Sequence, residues 1–140
     1  MSQSFDPTRF RVLFYVAALW NLAAASVALW APAYHARVFF GSDQGLASPD
    51  AAMNTQLLWV SVAFFGVGYW LVARDPSKNH GLVLIATLGK TYTAILWFGG
   101  FLLGTVTSFA LLGAAGDLIF AAFFAYFLFR VHTSANQPGV

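Results

Sequence analysis

The stretch that decides the fold is residues 56–80, which read QLLWVSVAFFGVGYWLVARDPSKNH. Residues 56–73 carry no charged side chain, and about 20 mostly apolar residues suffice for a helix to cross a bilayer. The polar residues that follow include Pro76, which cannot continue a helix, and Ser77 and Asn79, which can cap the next one. This stretch predicts a membrane-spanning helix and a turn short enough to make the next helix antiparallel.

Three further segments of the chain are equally long and apolar. Together with residues 56–73, they give four predicted helices, which cover residues 10–30, 56–73, 81–103 and 108–131. Arg9 and Arg11 precede segment 10–30 as in a signal peptide, but its apolar part is longer than the roughly 7 to 15 residues of a signal core, so a retained helix is expected. The predicted fold is an all-α, membrane-embedded antiparallel four-helix bundle, a single transmembrane domain over residues 1–140.

The composition supports a membrane location. Hydrophobic residues make up 59% of the chain and charged residues 9%, whereas soluble domains carry roughly 25% charged residues. The chain has no Cys, which excludes disulfides, a thiol nucleophile and a Cys metal site. A net charge of +2 with scattered cations predicts no nucleic-acid partner. The lipid bilayer is the predicted partner.

The cations at the ends of the predicted helices set the orientation, because Lys and Arg are retained on the cytoplasmic side. An inside N-terminus places on that side Arg9, Arg11, Arg74, Lys78 and Arg130. The opposite side then holds Arg37 alone, and Lys90 lies within the third segment. The sequence therefore predicts that both termini are cytoplasmic.

Residues 31–55 link the first two segments and contain several helix-breaking residues. Residues 34–40 mix aromatic, apolar and cationic side chains, as does a short segment lying on the membrane surface. A plain loop is the other interpretation, and the sequence leaves both open.

A few other polar or aromatic residues are expected at the membrane surfaces. His35, His80 and His132 lack the spacing of a metal site and are expected to be ordinary interfacial residues. Tyr69 and Trp70 fit an aromatic belt near the cytoplasmic surface. The interfacial turn at Arg74 and Asp75 is expected to hold a charge pair at the helix end. No metal and no cofactor are predicted.

Three strongly polar residues lie inside the predicted helices: Asn21, Lys90 and Asp117. A charge at the centre of a membrane helix costs about 2.5 to 3.5 kcal/mol, so these side chains should face the protein interior. Small residues, which allow helices to approach closely, surround them at helical spacing. They are Ala17, Ala18, Ala24, Ala25 and Ala28 near Asn21, Ala86, Thr87, Thr93 and Ala94 near Lys90, and Gly113, Ala114 and Ala121 near Asp117. Lys90 and Asp117 are therefore predicted to interact.

Two interpretations of this trio follow from the residues. One is a polar lock that fixes helix packing, and the other is a site for a proton, an ion or a polar ligand. Asp117 is the best candidate for such a site. Burial favours the protonated form of a carboxyl group whereas a nearby Lys favours the charged form, so its protonation can be tuned.

Several motifs together resemble a known family. They are residues 19–32, the run FGVGYWLVARDP at 65–76, Gly89-Lys90, and GDLIF at 116–120. The chain resembles, over most of its length, a family of small uncharacterised bacterial four-span integral membrane proteins with the pattern GxGY...ARDP...GK...DL. The resemblance implies a bacterial inner membrane location and places the Arg74-Asp75-Pro76 turn, Lys90 and Asp117 in the family pattern, but it brings no activity.

The chain also departs from that family. Many members have Asn before the Asp and paired Trp after it, where this chain has Gly116 and Phe120-Ala121. Its size and layout are loosely similar to those of DoxX-like membrane proteins, which is an architectural analogy.

Three functions are weighed. The first is a non-catalytic membrane component or accessory subunit in which Asn21, Lys90 and Asp117 form the polar lock. The second is a small transporter or ligand-binding bundle, functioning as a homo-oligomer, that uses Asp117 and Lys90 to bind a proton, an ion or an unidentified polar ligand. The third is a membrane enzyme, which has an acid and a base here but no nucleophile, metal cluster or cofactor motif.

Overall fold

The computed structural model describes residues 6–135, and every regular element in that range is helical. The helices are α1 (Arg11–Trp30), α2 (Pro32–Phe40), α3 (Pro49–Arg74), α4 (His80–Leu102) and α5 (Ala110–Ala135), with 3-10 turns at Pro7–Phe10 and Gln44–Leu46. The four long helices are apolar and long enough to cross a membrane. The all-α class and the four long apolar segments predicted from the sequence are confirmed.

Helix α3 begins well before the predicted start at residue 56. Ser48 caps it, since its hydroxyl accepts a hydrogen bond from the Ala51 backbone N–H at 3.2 Å, and Pro49 occupies the first turn. Asp50 in the same turn interacts favourably with the positive end of the helix dipole. The apolar pattern did not detect the first turns of this helix, because their residues are largely polar or small.

The link over residues 31–55 is largely helical, so the plain-loop interpretation is wrong. Ala31 leaves the helical conformation with φ −132°, and Pro32 then starts α2 with a backbone angle already suited to a helix. Helix α2 ends at Gly41, whose φ of 74° is strained for any residue with a side chain.

The turn between α3 and α4 contains the predicted capping residue, with a different geometry. Asn79 precedes the first residue of α4 but takes a left-handed conformation with φ 63°, and its side chain makes no capping hydrogen bond. Asp75 instead organises the turn by accepting hydrogen bonds from the backbone N–H and the hydroxyl of Ser77.

The long helices form two pairs, with α1 against α3 and α4 against α5. At one end of the molecule, the Arg11 guanidinium donates a hydrogen bond to the Arg74 carbonyl oxygen at 3.0 Å. We call this end, which contains the turn at residues 75–79, the turn end. At the other end, the Thr107 backbone N–H donates to the Phe39 carbonyl oxygen at 2.8 Å. We call that end the α2 end.

Glycines permit two close contacts between helices. A Cβ atom at Gly66 would lie 2.8 Å from the Leu22 side chain and 3.3 Å from the Ala18 carbonyl oxygen. A Cβ atom at Gly116 would lie 2.5 Å from the Trp20 ring. Helix α1 therefore packs directly on the backbone of α3, and its Trp20 ring packs on the backbone of α5.

Candidate functional site

The structure brings the three predicted polar residues together. The Lys90 ammonium group donates to Asp117 Oδ1 at 2.6 Å and to Asn21 Oδ1 at 3.0 Å. The Asn21 amide group in turn donates to the Val62 carbonyl oxygen at 3.3 Å. The predicted contact between Lys90 and Asp117 is thus present, and Asn21 connects the pair to α3.

The polar cluster, by which we mean Asn21, Lys90 and Asp117, is shielded from the surface. Lys90 is 5% exposed, Asn21 is 7% exposed, and the Asp117 side chain is 14% exposed. The small residues predicted around them explain this burial, because most are themselves buried: Ala17, Ala18, Ala25, Ala28, Ala86, Ala94, Ala114 and Ala121. Ala24 is only half-buried.

The cluster joins the two helix pairs. Lys90 extends from α4 to Asn21 on α1 and to its neighbour α5 through Asp117. Its ammonium group also lies 5.2 Å from the centre of the Phe120 ring and 5.7 Å from that of Tyr69. Aromatic faces attract cations at such distances, so the charge is held by oxygen atoms and by rings together.

The cluster has hydrogen-bonding capacity to spare. A Lys ammonium group has three donors, of which two are used here, and a carboxylate can accept at both oxygen atoms. Within residues 6–135, Asp117 Oδ2 accepts no hydrogen bond. A ligand could therefore bind to Lys90 and Asp117 without breaking the contact between them.

The cluster lines a large cavity between the helix pairs, which we call the cleft. Its volume is about 740 Å³, and all five helices contribute to its mainly apolar wall. This size suits a small organic molecule, since ligand cavities typically span ~300 to 1,000 Å³. Exposed side chains border the cleft, among them Leu19 on α1 and Leu112 on α5, so it is open to the surface of the molecule.

An aromatic cluster fills the molecule on the turn-end side of the cleft. The Phe14 ring stacks on Phe124 at 5.1 Å and meets the edge of Phe127 at 5.2 Å. Tyr69 joins them at 5.3 Å from Phe124 and is 2% exposed. The prediction that Tyr69 lies in an interfacial aromatic belt is therefore wrong, whereas Trp70 is exposed as that prediction requires.

Helix α2 covers the other end of the cleft. Beyond the backbone contact to Thr107, the Phe39 ring lies 5.4 Å from Trp97 on α4 and 5.3 Å from Phe109. The Thr107 hydroxyl also donates to the Val38 carbonyl oxygen at 2.5 Å. These contacts attach α2 to the connection between α4 and α5.

His35 on α2 is the residue of the cleft that sequence reasoning missed. It was expected at the membrane surface, but it is 3% exposed, between the rings of Phe39 at 4.5 Å and Trp59 at 4.6 Å. Its contact with Trp59 depends on how α2 folds back onto α3, which no local pattern encodes. The mixed aromatic and cationic character of residues 34–40 was the signal that this segment was more than a loop.

The interfacial turn at Arg74 and Asp75 lies apart from the cleft. The expected charge pair between them is absent from the described part of the chain, and Asp75 pairs instead with Lys78 at 2.7 Å. Hydrogen bonds from Lys78 and Ser77 lower the pKa of the Asp75 carboxyl group to about 2. This turn is a structural link that connects α3 of one helix pair to α4 of the other.

Comparison with protein-family models, with curated proteins and with solved structures finds no match to this chain. The resemblance to the small bacterial four-span family therefore stays a prediction. The fold and the cleft define an all-helical protein with four long apolar helices around a mainly apolar cavity.

Proposed function

We propose that this chain is a non-catalytic, multi-pass protein of the bacterial inner membrane that binds a small, mainly apolar molecule in the cleft. In this proposal the four long helices form an antiparallel bundle in the bilayer, with both termini in the cytoplasm. Large apolar side chains are exposed on each of these helices, for example Leu19, Phe64, Leu88 and Phe129. Lipid is the solvent that such a surface requires.

The observation that carries the proposal is the position of the polar cluster within the wall of the cleft. Binding cavities are typically mainly apolar, with a few polar groups that orient the ligand. Lys90 and Asp117 supply such groups in a cavity of about 740 Å³. Because their charges cancel, the cleft suits a polar but uncharged part of a ligand. The open side of the cleft faces the lipid in this orientation and gives an apolar molecule a route from the bilayer.

A second candidate function is supported by the hydrogen bonds within the cluster. Lys90 is satisfied by Asn21 and Asp117 without any ligand, as in a lock that only holds the helix pairs together. The chain would then be a structural membrane component. The two functions differ in whether the cleft is occupied.

Filling the cleft tests the proposal. Gly89 lies in its wall, and no atom lies within 4 Å of a Cβ added there, so Gly89→Trp should place an indole ring in the cavity. The wild type, purified in native nanodiscs, should retain a small apolar molecule that native mass spectrometry detects. We expect Gly89→Trp to lose it.

Gly99→Trp is the matched control, because Gly99 is on the same helix with equally open space but outside the cleft wall. It should retain the molecule as the wild type does. Identical bound molecules in all three proteins, or none in the wild type, would contradict the binding function and favour the lock.

A further inference from the structure

The imidazole of His35 has an unused hydrogen-bonding atom inside the protein. Among the described residues, its Nε2 atom is buried without any hydrogen-bond partner. Buried polar atoms are nearly always paired, so an unpaired one calls for an explanation such as a ligand or an ordered water. Phe39 and Trp59, whose rings pack against the imidazole, form no hydrogen bond with this atom.

His35 lies in the wall of the same cleft as the polar cluster, but closer to the α2 end. The distance between His35 and the polar cluster along the cleft can be read from their contacts with α3. His35 packs on Trp59, and the Asn21 amide group donates to the Val62 carbonyl oxygen. Those two positions are three residues apart, or ~4.5 Å along the helix axis. The cleft therefore has polar groups at two levels that one small molecule can reach together.

The chemistry of these two levels restricts the ligand. Burial lowers the pKa of His35 below its usual 6.5, so the imidazole is neutral at pH 7. At the other level, Lys90 and Asp117 neutralise each other. Rings of Trp20, Trp59 and Trp97 also lie in the wall of the cleft, and flat rings pack well against them.

We propose that His35 Nε2 is the second hydrogen-bonding contact of the cleft. The ligand is an uncharged, ring-containing molecule with a hydroxyl or carbonyl group at each end. One group binds at Lys90 and Asp117, and the other binds at His35. This inference rests on the proposed binding function and adds the chemical class of the ligand.

A series of naphthalene probes tests the inference. The probes are 2,6-dihydroxynaphthalene, 2-naphthol and the anionic 2-naphthoate, and their dissociation constants are measured by equilibrium dialysis against protein in nanodiscs. Empty nanodiscs correct for partition into lipid. We expect the second hydroxyl group to tighten binding about tenfold over 2-naphthol, the effect of one well-placed hydrogen bond. The anion should bind at least about tenfold more weakly than 2-naphthol, since it brings an uncompensated charge.

His35→Phe removes the nitrogen atom but keeps a flat ring between Phe39 and Trp59, and the advantage of the second hydroxyl group should disappear. His35→Gln retains a hydrogen-bonding group and should keep part of the advantage of the second hydroxyl group. Tyr92→Phe is the control, because it removes an exposed hydroxyl group of α4 that lies outside the cleft wall. It should leave the tenfold advantage intact.

The outcomes separate this inference from the function on which it rests. An unchanged advantage in His35→Phe, with all probes weakened by Gly89→Trp, would overturn the role of His35 and leave the binding function in place. Tighter binding of 2-naphthoate would overturn the uncharged ligand class. Probe binding that Gly89→Trp does not weaken would overturn the binding function itself.

Discussion

Gly116 shows how one missing side chain shapes the site. It precedes Asp117, and the Trp20 ring occupies the space where a Cβ atom would lie. Trp20 also lines the cleft, so the contact helps to fix the position of one of the rings in the cleft wall. This contact is a physical reason for a residue without a side chain at position 116.

Gly116→Ala should destabilise the protein, because the added methyl group would lie 2.5 Å from the Trp20 ring and force it to move. Overpacking of this kind costs about 1 to 3 kcal/mol. Thermal unfolding in mild detergent, followed by circular dichroism, should show a lower melting temperature.

Gly99→Ala is the control for the change in helix propensity, because nothing lies within 4 Å of its added Cβ. It should melt at the wild-type temperature or slightly higher, as Ala favours helix over Gly. Equal melting temperatures for the two variants would show that the Trp20 contact is not tight.

Individual residues differ in how far the sequence could predict them. The contact of Lys90 with Asp117 was predictable, because a charge in an apolar helix needs a partner and few were available. The burial of His35 was not predictable, because it depends on contacts with Phe39 and Trp59 that form only when α2 folds back onto α3. The burial of Tyr69 likewise comes from packing against Phe124.

At the scale of the helices, the apolar segments were predictable because hydropathy is a local property. The ends of the helices were harder to predict. Helix α3 starts at Pro49, where polar residues form its first turns, and α5 continues to Ala135. Helix α2 is short and of mixed composition, so its stability depends on tertiary contacts such as the Thr107 hydrogen bond.

Small residues determine how closely α4 and α5 approach, and two adjacent alanines on α5 can test this. Ala114 is buried at 4% exposure, whereas Ala115 is exposed. Ala114→Leu should lower the melting temperature by an amount that corresponds to about 1 to 3 kcal/mol, because a buried site cannot accept the larger side chain.

The same change at Ala115 should have little effect, because its side chain faces outward. Thermal unfolding of both variants in one detergent makes the comparison direct. A larger loss for Ala115→Leu would mean that the outward face of α5 contacts another protein, such as a second copy of the chain.

At the scale of the whole molecule, the structure places Arg11 and Arg74 together at the turn end and Arg37 on α2 at the other end. The positive-inside rule then predicts a cytoplasmic turn end. Compartment-sensitive reporters fused to each terminus should both report the cytoplasm. A periplasmic signal from either terminus would contradict the proposed orientation.

The central claim is that Lys90 and Asp117 form a buried ion pair in the wall of the cleft in which each charge depends on the other. Lys90→Met leaves a buried carboxylate without its partner, and Asp117→Leu leaves a buried cation without its partner. Each single change should destabilise the protein by about 3 to 5 kcal/mol, the typical effect of breaking a buried ion pair. The double variant retains neither charge.

The most direct measurement is therefore a double-mutant cycle of the unfolding free energy in mild detergent, with Lys90→Met, Asp117→Leu and both together. We predict that the double variant regains much of the stability lost in either single variant, which is the signature of direct coupling. Strictly additive losses would show that Lys90 and Asp117 act independently, and would contradict the claim that the two charges stabilise each other inside the protein.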